Sequence, residues 1–384
     1  MIKYKKIEEL TSVITGGTPS TAKAQYWDGG DIPWLQSGCC QNCDVIGAEK
    51  YITRAGYDNS STKMMPPETV MIALTGATAG KVGYLKFAAC GNQSITGILP
   101  CSSLNQRFLF YYLLSQRDKI LADCIGGAQP HISQGYVKRM KVPVLPLEEQ
   151  EKIVVNLEKI STIIEKRKKQ ICTLDNLIKA RFVELFGDPV SNPKGWEKRA
   201  LSEEAEIKIG PFGSLLHKED YISGGHALVN PSHIVDGRIA PDDKLTISDE
   251  KYGELSAYHL MPGDVVMGRR GEMGRCAVVG QVGLLCGTGS LLIRTNGDLS
   301  ADYIQKIISF PSFKRTIEDM AVGQTMPNLN VPIVSGFQIL KPPKSVQNQY
   351  YAFVAQVDKS KVVVQKALDE AQLLFDSLMQ EYFG

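Results

Sequence analysis

Residues Glu148–Phe186 read EEQEKIVVNLEKISTIIEKRKKQICTLDNLIKARFVELF, and residues Ser345–Phe383 read SVQNQYYAFVAQVDKSKVVVQKALDEAQLLFDSLMQEYF. Neither stretch contains Pro or Gly. In the first, Ile153, Leu157, Ile160, Ile164, Ile171, Leu174, Ile178 and Leu185 fall on steps of three and four, with charged interruptions at Arg167 and Arg181. In the second, Tyr350, Val354, Val357, Val364, Leu368, Ala371, Phe375, Leu378 and Tyr382 do the same, interrupted at Lys361. An apolar seam kept for about five heptads belongs to a coiled coil, not to the short helix of a globular core.

The two seams share a phase. Position 153 corresponds to 350 and 185 to 382, an offset of 197 residues in both cases. The ends correspond too: Leu185-Phe186-Gly187 against Tyr382-Phe383-Gly384, with glycine as the expected helix stop. So do the entries, Pro146 with Pro343 and Gln150 with Gln347. Period, phase, start and stop together point to one unit written twice.

Upstream of each helix lies a stretch rich in Gly, Val, Ile and Thr, which reads as a mixed α/β globule of short strands. The two globules share landmarks. Val70-Met71-Ile72-Ala73-Leu74-Thr75-Gly76 resembles Val265-Val266-Met267-Gly268-Arg269-Arg270-Gly271, each a strand running into a glycine loop. Gly80-Lys81 and Gly274-Arg275 follow, then a helix near Arg107–Leu121 and near Ala301–Asp319. A further loop comes next, Gly126–Ile132 in one copy and Gly323–Leu329 in the other. Gly187-Asp188-Pro189-Val190-Ser191-Asn192-Pro193-Lys194-Gly195 has the chemistry of a helix stop and a turn, and links the copies.

That order predicts an α+β chain with a pseudo-twofold internal repeat: a globule over 1–147, a long helix and its stop over 148–187, a linker and second globule over 188–344, and a second helix over 345–384. The second helix buries its seam by running back along the first, so the expected architecture is an antiparallel two-helix coiled coil with a globule at each end. A helix of about 35 residues at 1.5 Å per residue is roughly 50 Å long. Two similar, divergent heads at a set distance suit a two-part, asymmetric target, or serve as a duplicated adaptor joining two protein partners.

Bulk properties narrow the class. The 384 residues are 43% hydrophobic and 22% charged, as in a globular protein with real cores. A net charge of +2 is compatible with a basic face balanced by acidic helices. Nine cysteines without regular spacing are no disulfide framework and point to a reducing cytoplasm. The amino terminus is charged where a secretion signal is apolar, and no uncharged apolar run of about 18 residues suggests a membrane span.

The layout closely resembles the specificity subunit of type I restriction–modification systems over essentially the whole chain. The carrying residues are Ile32-Pro33-Trp34-Leu35, the strand and loop through Gly76 to Val82, and Ala128-Gln129-Pro130-His131-Ile132-Ser133 running on through Val142-Pro143-Val144-Leu145-Pro146-Leu147-Glu148-Glu149-Gln150. Asn192-Pro193-Lys194-Gly195-Trp196 resembles the family's opening to a second target-recognition domain. The resemblance implies two target-recognition domains, each reading one half of a split site on double-stranded DNA. It also implies a helical spacer that docks two methyltransferase subunits and, for cleavage, two motor–nuclease subunits. S-adenosylmethionine, ATP and Mg²⁺ would belong to those partners, with no cofactor in this chain. The second copy departs from the pattern at Gly323-Gln324-Thr325-Met326-Pro327-Asn328 and at Lys341-Pro342-Pro343-Lys344.

The residues themselves offer no active site. Thr75-Gly76-Ala77-Thr78-Ala79-Gly80-Lys81-Val82 has Thr75 where a phosphate-binding P-loop has its first glycine, and Val82 where a Mg²⁺-binding hydroxyl belongs. Cys40-x-x-Cys43 has no second Cys/His pair at zinc-site spacing, and the five histidines are scattered. No Asn-Pro-Pro-aromatic or Asp-Pro-Pro-aromatic tetrapeptide, which would hold a flipped adenine, occurs. The expectation is a recognition subunit, not an enzyme.

For DNA contact, the candidates in the glycine loops are Thr75, Thr78 and Lys81 in the first head and Arg269, Arg270 and Arg275 in the second. Glycine lets backbone approach a phosphate, and Arg forks onto guanine O6 and N7; decoration of a surface turn is the alternative. Gln36, Ser37 and Asn42 follow a strand in the first head, and Asn230, Ser232 and His233 follow its counterpart in the second. Their amides and hydroxyls suit base edges, or are simply solvated. Lys166-Arg167-Lys168-Lys169 is either a solvated face or a phosphate contact between half-sites. Gln129 and His131 lie in a loop that reads equally as a structural brace.

Overall fold

The computed structural model describes residues 3–124, 131–272, 274–321 and 328–384. The chain divides into two compact units, one of residues 1–171 with 362–384 and one of residues 172–361. Each contains one head.

The first head is fastened by its own ends. Lys3–Lys6 pairs antiparallel with Lys141–Val144, Lys3 opposite Val144. Inside the clasp, one sheet runs in the order Val13–Thr15, Ile95–Ile98, Val70–Ala73, Val82–Leu85, Cys43–Val45. A second runs Lys50–Ile52, Ile32–Leu35, Ala89–Gly91, Met64–Met65. Val70–Ala73 and Val82–Leu85 are buried at every position, which explains their continuous apolar runs: both faces are covered.

The second head repeats this plan. Glu197–Ala200 pairs with Gln338–Lys341 as the clasp. One sheet runs Ala205–Ile209, Ser290–Thr295, Val265–Gly268, Cys276–Val278, and the other Thr246–Ile247, His226–Val229, Leu284–Cys286, His259–Leu260. The heads share a parallel pair in the same place, Trp34 opposite Cys90 and Leu228 opposite Leu285. Close backbone approach repeats as well. A Cβ on Gly16 would fall 1.9 Å from the Gly91 carbonyl oxygen, and one on Gly210 would fall 2.1 Å from that of Gly287. Only glycine fits either place. The copies differ at one edge, where the first head adds Cys43–Val45 parallel to Val82–Leu85 and the second forms a hairpin of Ile234–Val235 with Arg238–Ile239.

The helix expected near Arg107–Leu121 is two, Gln106–Ser115 and Arg117–Ala122, because Gln116 sits in the bridge region at φ −85° and ψ 1°. The one expected near Ala301–Asp319 is also two, Ala301–Ile308 and Pro311–Met320. Pro311 has no N–H for the preceding turn and starts a new helix instead. Asn105 and Ser300 cap the first of each pair through their side chains, accepting from Phe108 N–H and Tyr303 N–H.

The long helices run Leu147–Phe186 and Lys344–Phe383. Gly187 follows the first in the left-handed region at φ 78° and donates its N–H to Val183 O at 2.9 Å. Every seam residue predicted above is buried or half-buried. In the first unit, Val154 and Leu157 enter the core of the head, joined by Phe375, Leu378 and Phe383 from the second helix. Phe383 meets Phe108 edge-on at 5.4 Å. In the second unit, Phe182 and Phe186 pack on Tyr350 at 5.6 and 5.3 Å, and Phe186 on Tyr303 at 4.9 Å. Within that unit Asp175 pairs with Lys361 at 2.7 Å and Arg181 lies over Phe353, so the helix segments there run antiparallel. Two of the charged interruptions therefore sit in the seam, Lys361 in an ion pair across it and Arg181 against a ring. No helix among the described residues is long and apolar enough to cross a membrane.

Candidate nucleic-acid interface

In the first head three segments meet. Strand Ile32–Leu35 ends in a 3-10 turn, Ser37–Cys39. Asn42, at φ 61°, fastens the chain after that turn to the glycine loop: its N–H donates to Val82 O at 2.8 Å, and its Oδ1 accepts from Val82 N–H at 3.0 Å. The loop itself turns on Gly76 and Gly80 at φ 71° and 73°. Within it Thr78 donates to Thr75 O, and Lys81 Nζ donates to Gln41 Oε1 at 2.7 Å. The third segment begins at His131, which bridges to Thr75, and Ile132 N–H donates to Leu74 O at 2.9 Å.

The second head builds the same junction. Gly271 and Gly274 sit at φ 79° and 72°. Asn328 bridges to Arg270, and Leu329 N–H donates to Arg269 O at 2.9 Å, the counterparts of His131 and Ile132. Strand His226–Val229 ends in the 3-10 turn Pro231–His233, and Pro231 O accepts from Arg275 Nη1 at 3.2 Å. Two heads with different side chains thus present the same three segments at one place. The loop residues before them, Gln129 included, lie outside the described residues, as do 322–327.

The candidates separate by what their side chains already hold. Gln36, Ser232 and Arg270 are exposed and Ser37 half-buried, and none of the four has a side-chain partner among the described residues. Thr75 and Thr78 are half-buried. Asn42 is engaged as described, and Asn230 Oδ1 accepts from Gly289 N–H. Arg269 Nε donates to Asn328 Oδ1 at 3.0 Å; its burial, with the Arg270 charge beside it, lowers its pKa from the ordinary guanidinium value. Arg275 holds Glu272 through Nη2 at 2.5 Å and Nε at 3.2 Å. His233 is placed otherwise than expected. It is buried, with Nδ1 2.8 Å from the Leu228 carbonyl oxygen, to which a protonated Nδ1 donates, so it braces the turn from within.

Sequence reasoning passed over Gln41, Glu272, Lys314 and Asn328, the partners that fix these loops. Glu272 carried a readable signal, an acid three residues before Arg275 inside the loop. Of the basic run, Lys166 and Lys168 are exposed and Arg167 donates to Gln170 Oε1. Cys40 is buried and Cys43 exposed, and no group of three His, Cys, Asp or Glu that could hold a metal ion occurs among the described residues. Thr75–Val82 forms a tight turn, with 3-10 geometry over Gly76–Thr78.

Residues 2–173 match the type I restriction modification DNA specificity domain. The MjaIX specificity subunit, from a type I restriction enzyme of Methanocaldococcus jannaschii, is 24% identical over an alignment covering 98% of this chain and 91% of that one. The crystal structure of a type I restriction-modification S subunit from M. genitalium aligns with 100% of this chain and 96% of its own at a TM-score of 0.57 and 16% identity. A chain from a structure addressing complex assembly and conformational transition of the type I R-M system aligns with 100% of this chain and 97% of its own, at a TM-score of 0.61 and 16% identity. At such identities the structural likeness is one of fold, and it is the fold built above: two heads and long helices. The first head and the start of its helix thus carry a match to the type I restriction modification DNA specificity domain, and along its whole length the chain is similar to type I restriction–modification specificity subunits.

Proposed function

We propose that each head reads one half of a bipartite, asymmetric DNA target and that the long helices set the spacing and dock the methyltransferase and motor–nuclease subunits. The observation that carries this reading is the duplicated junction. In both heads the segment after residue 130 or 327 joins the glycine loop on matching hydrogen bonds, and a strand-end turn is tied to that loop, through Asn42 in the first head and Arg275 in the second. The heads then arm this junction with different polar groups. A shared backbone platform with divergent tips suits two half-sites of different sequence. Gln36, Ser37, Ser232 and Arg270 are the groups with unoccupied donors and acceptors, and in this reading they meet base edges. Lys81, Arg275 and the threonines meet phosphates. Two methyltransferase subunits per chain would follow from the duplication, with S-adenosylmethionine, ATP and Mg²⁺ bound by the partners.

The test is genome-wide adenine-methylation mapping in cells with and without the gene. A split asymmetric motif that disappears on deletion supports the reading. If complex purified with its cognate methyltransferase subunits methylates no discrete sequence, the reading fails and a duplicated protein adaptor takes its place.

A further inference from the structure

Beside the glycine loop of the second head lies a cleft of about 410 Å³. Arg275, Lys306 and Lys314 line it, with Glu272 and Asp236 as the acids. Glu272 Oε2 accepts from Arg275 Nη2 and Nε, and its Oε1 accepts from Lys314 Nζ at 3.2 Å. A guanidinium fork and an ammonium converging on one carboxylate is also the donor set that grips a phosphate. Arg275 is held in place by its further bond to Pro231 O, and Gly274 lets the loop press on the helix carrying Lys314, where a Cβ would meet Lys314 Cγ at 2.8 Å. Glu272 is half-exposed and flanked by Gly271 and Gly274, both at positive φ. Its carboxyl is held below the usual range by Arg275 first and Lys314 second.

Among the described residues the glycine loop of the first head has no such acid. Its loop cation, Lys81, meets the neutral Gln41. We infer that Glu272 is a built-in phosphate surrogate: it occupies a DNA-phosphate clamp formed by Arg275 and Lys314, and a backbone phosphodiester of bound duplex takes its place. The inference rests on the DNA-binding reading above and adds a regulated contact to it. Exchange of one monoanion for another leaves the two cations paired throughout, while the displaced carboxylate turns to solvent near the duplex and is repelled by it. A single phosphate from non-target DNA therefore gains little. A duplex seated on its half-site delivers its phosphate at high local concentration and completes the exchange.

The test measures binding of the full chain to a duplex lacking any methylated motif, as a function of chloride concentration. Glu272→Gln should bind about fivefold tighter at low salt, with a log–log salt slope steeper by up to about 0.9, one more phosphate contact. Glu250→Gln, an equal charge change on the exposed face of the Asp249–Glu254 helix, should change binding by less than about twofold under screening. Adding Lys314→Gln to Glu272→Gln should abolish the gain. The surrogate is refuted if wild type binds duplex with steep salt dependence yet Glu272→Gln binds no tighter, or Glu250→Gln gains equally. A gain in affinity for inorganic phosphate without one for duplex would assign the cleft to a free anion and also overturn it. Wild type showing no salt-dependent duplex binding would instead remove the DNA-binding reading, and the surrogate with it.

Discussion

Lys81 in the first head and Arg275 in the second occupy matching places after matching glycines, yet one meets an amide and the other a carboxylate shared with Lys314. The same contrast recurs deeper down. Gln150 and Gln347 both enter the core one turn into a long helix, and each donates to a carbonyl at the helix entry, Leu145 O and Pro342 O. Gln150 Oε1 also accepts from Asn105 N–H at 2.8 Å, whereas Gln347 Oε1 is buried without a partner among the described residues. Thr69 and Asp264 likewise stabilise equivalent turns, but only Asp264 takes on an arginine, Arg294. Backbone geometry has been kept between the copies while the polar ends of side chains have been reassigned. Main-chain hydrogen bonds depend on no particular side chain, so a duplicated platform survives divergence that its tips do not.

The sharpest way to break the comparison is at the helix ends. Phe186 is fully buried against Phe182, Tyr303 and Tyr350, while its counterpart Phe383 is half-buried against Phe108 and Tyr112. Phe186→Ala should cost about 3–5 kcal/mol and Phe383→Ala roughly half as much, by urea unfolding. Equal losses would mean the two packings are interchangeable.

Next come the glutamines. Gln150→Met strands a donor and an acceptor and should cost about 2–3 kcal/mol; Gln347→Met, which also removes an orphaned oxygen, should cost about 1 kcal/mol or less. Thermal unfolding of the two variants decides it, and the reverse order would show that Gln347 Oε1 is satisfied in solution.

At the loops, Arg270→Ala should weaken target binding by about 1–3 kcal/mol and relax base preference in one half-site, with stability unchanged. Arg269→Ala should instead lower the melting temperature, through loss of its bond to Asn328. The smallest effect belongs to Lys81→Gln: a salt slope shallower by about 0.9 and a stability change within about 0.5 kcal/mol. A slope left unchanged would take Lys81 off the duplex.

The seam was legible because burial along a helix is periodic, and every residue from Ile153 to Leu185 and from Tyr350 to Tyr382 that carried the period is at least half-buried. The glycine loops were legible because positive φ at Gly76, Gly80, Gly271 and Gly274 restricts residue type. What stayed hidden was non-local. The partners of Lys81 and Arg269 lie 40 and 59 residues away, and no local pattern announces them. The buried role of His233 was hidden for the same reason. Its short turn resembles any exposed one until the strands around it are placed. The break at Gln116 has no Pro to mark it, unlike that at Pro311.

The division of the chain into units carries a consequence for synthesis on the ribosome. The second unit is one continuous segment, 172–361, and has all its core residues as soon as that segment emerges. The first unit is begun earliest but needs residues 362–384, whose Phe375, Leu378 and Phe383 complete its core. The head that precedes the other in the chain is therefore completed after it, and the apolar surface around Phe108, Tyr111 and Tyr112 stays open until Phe375 and Phe383 have followed the second unit.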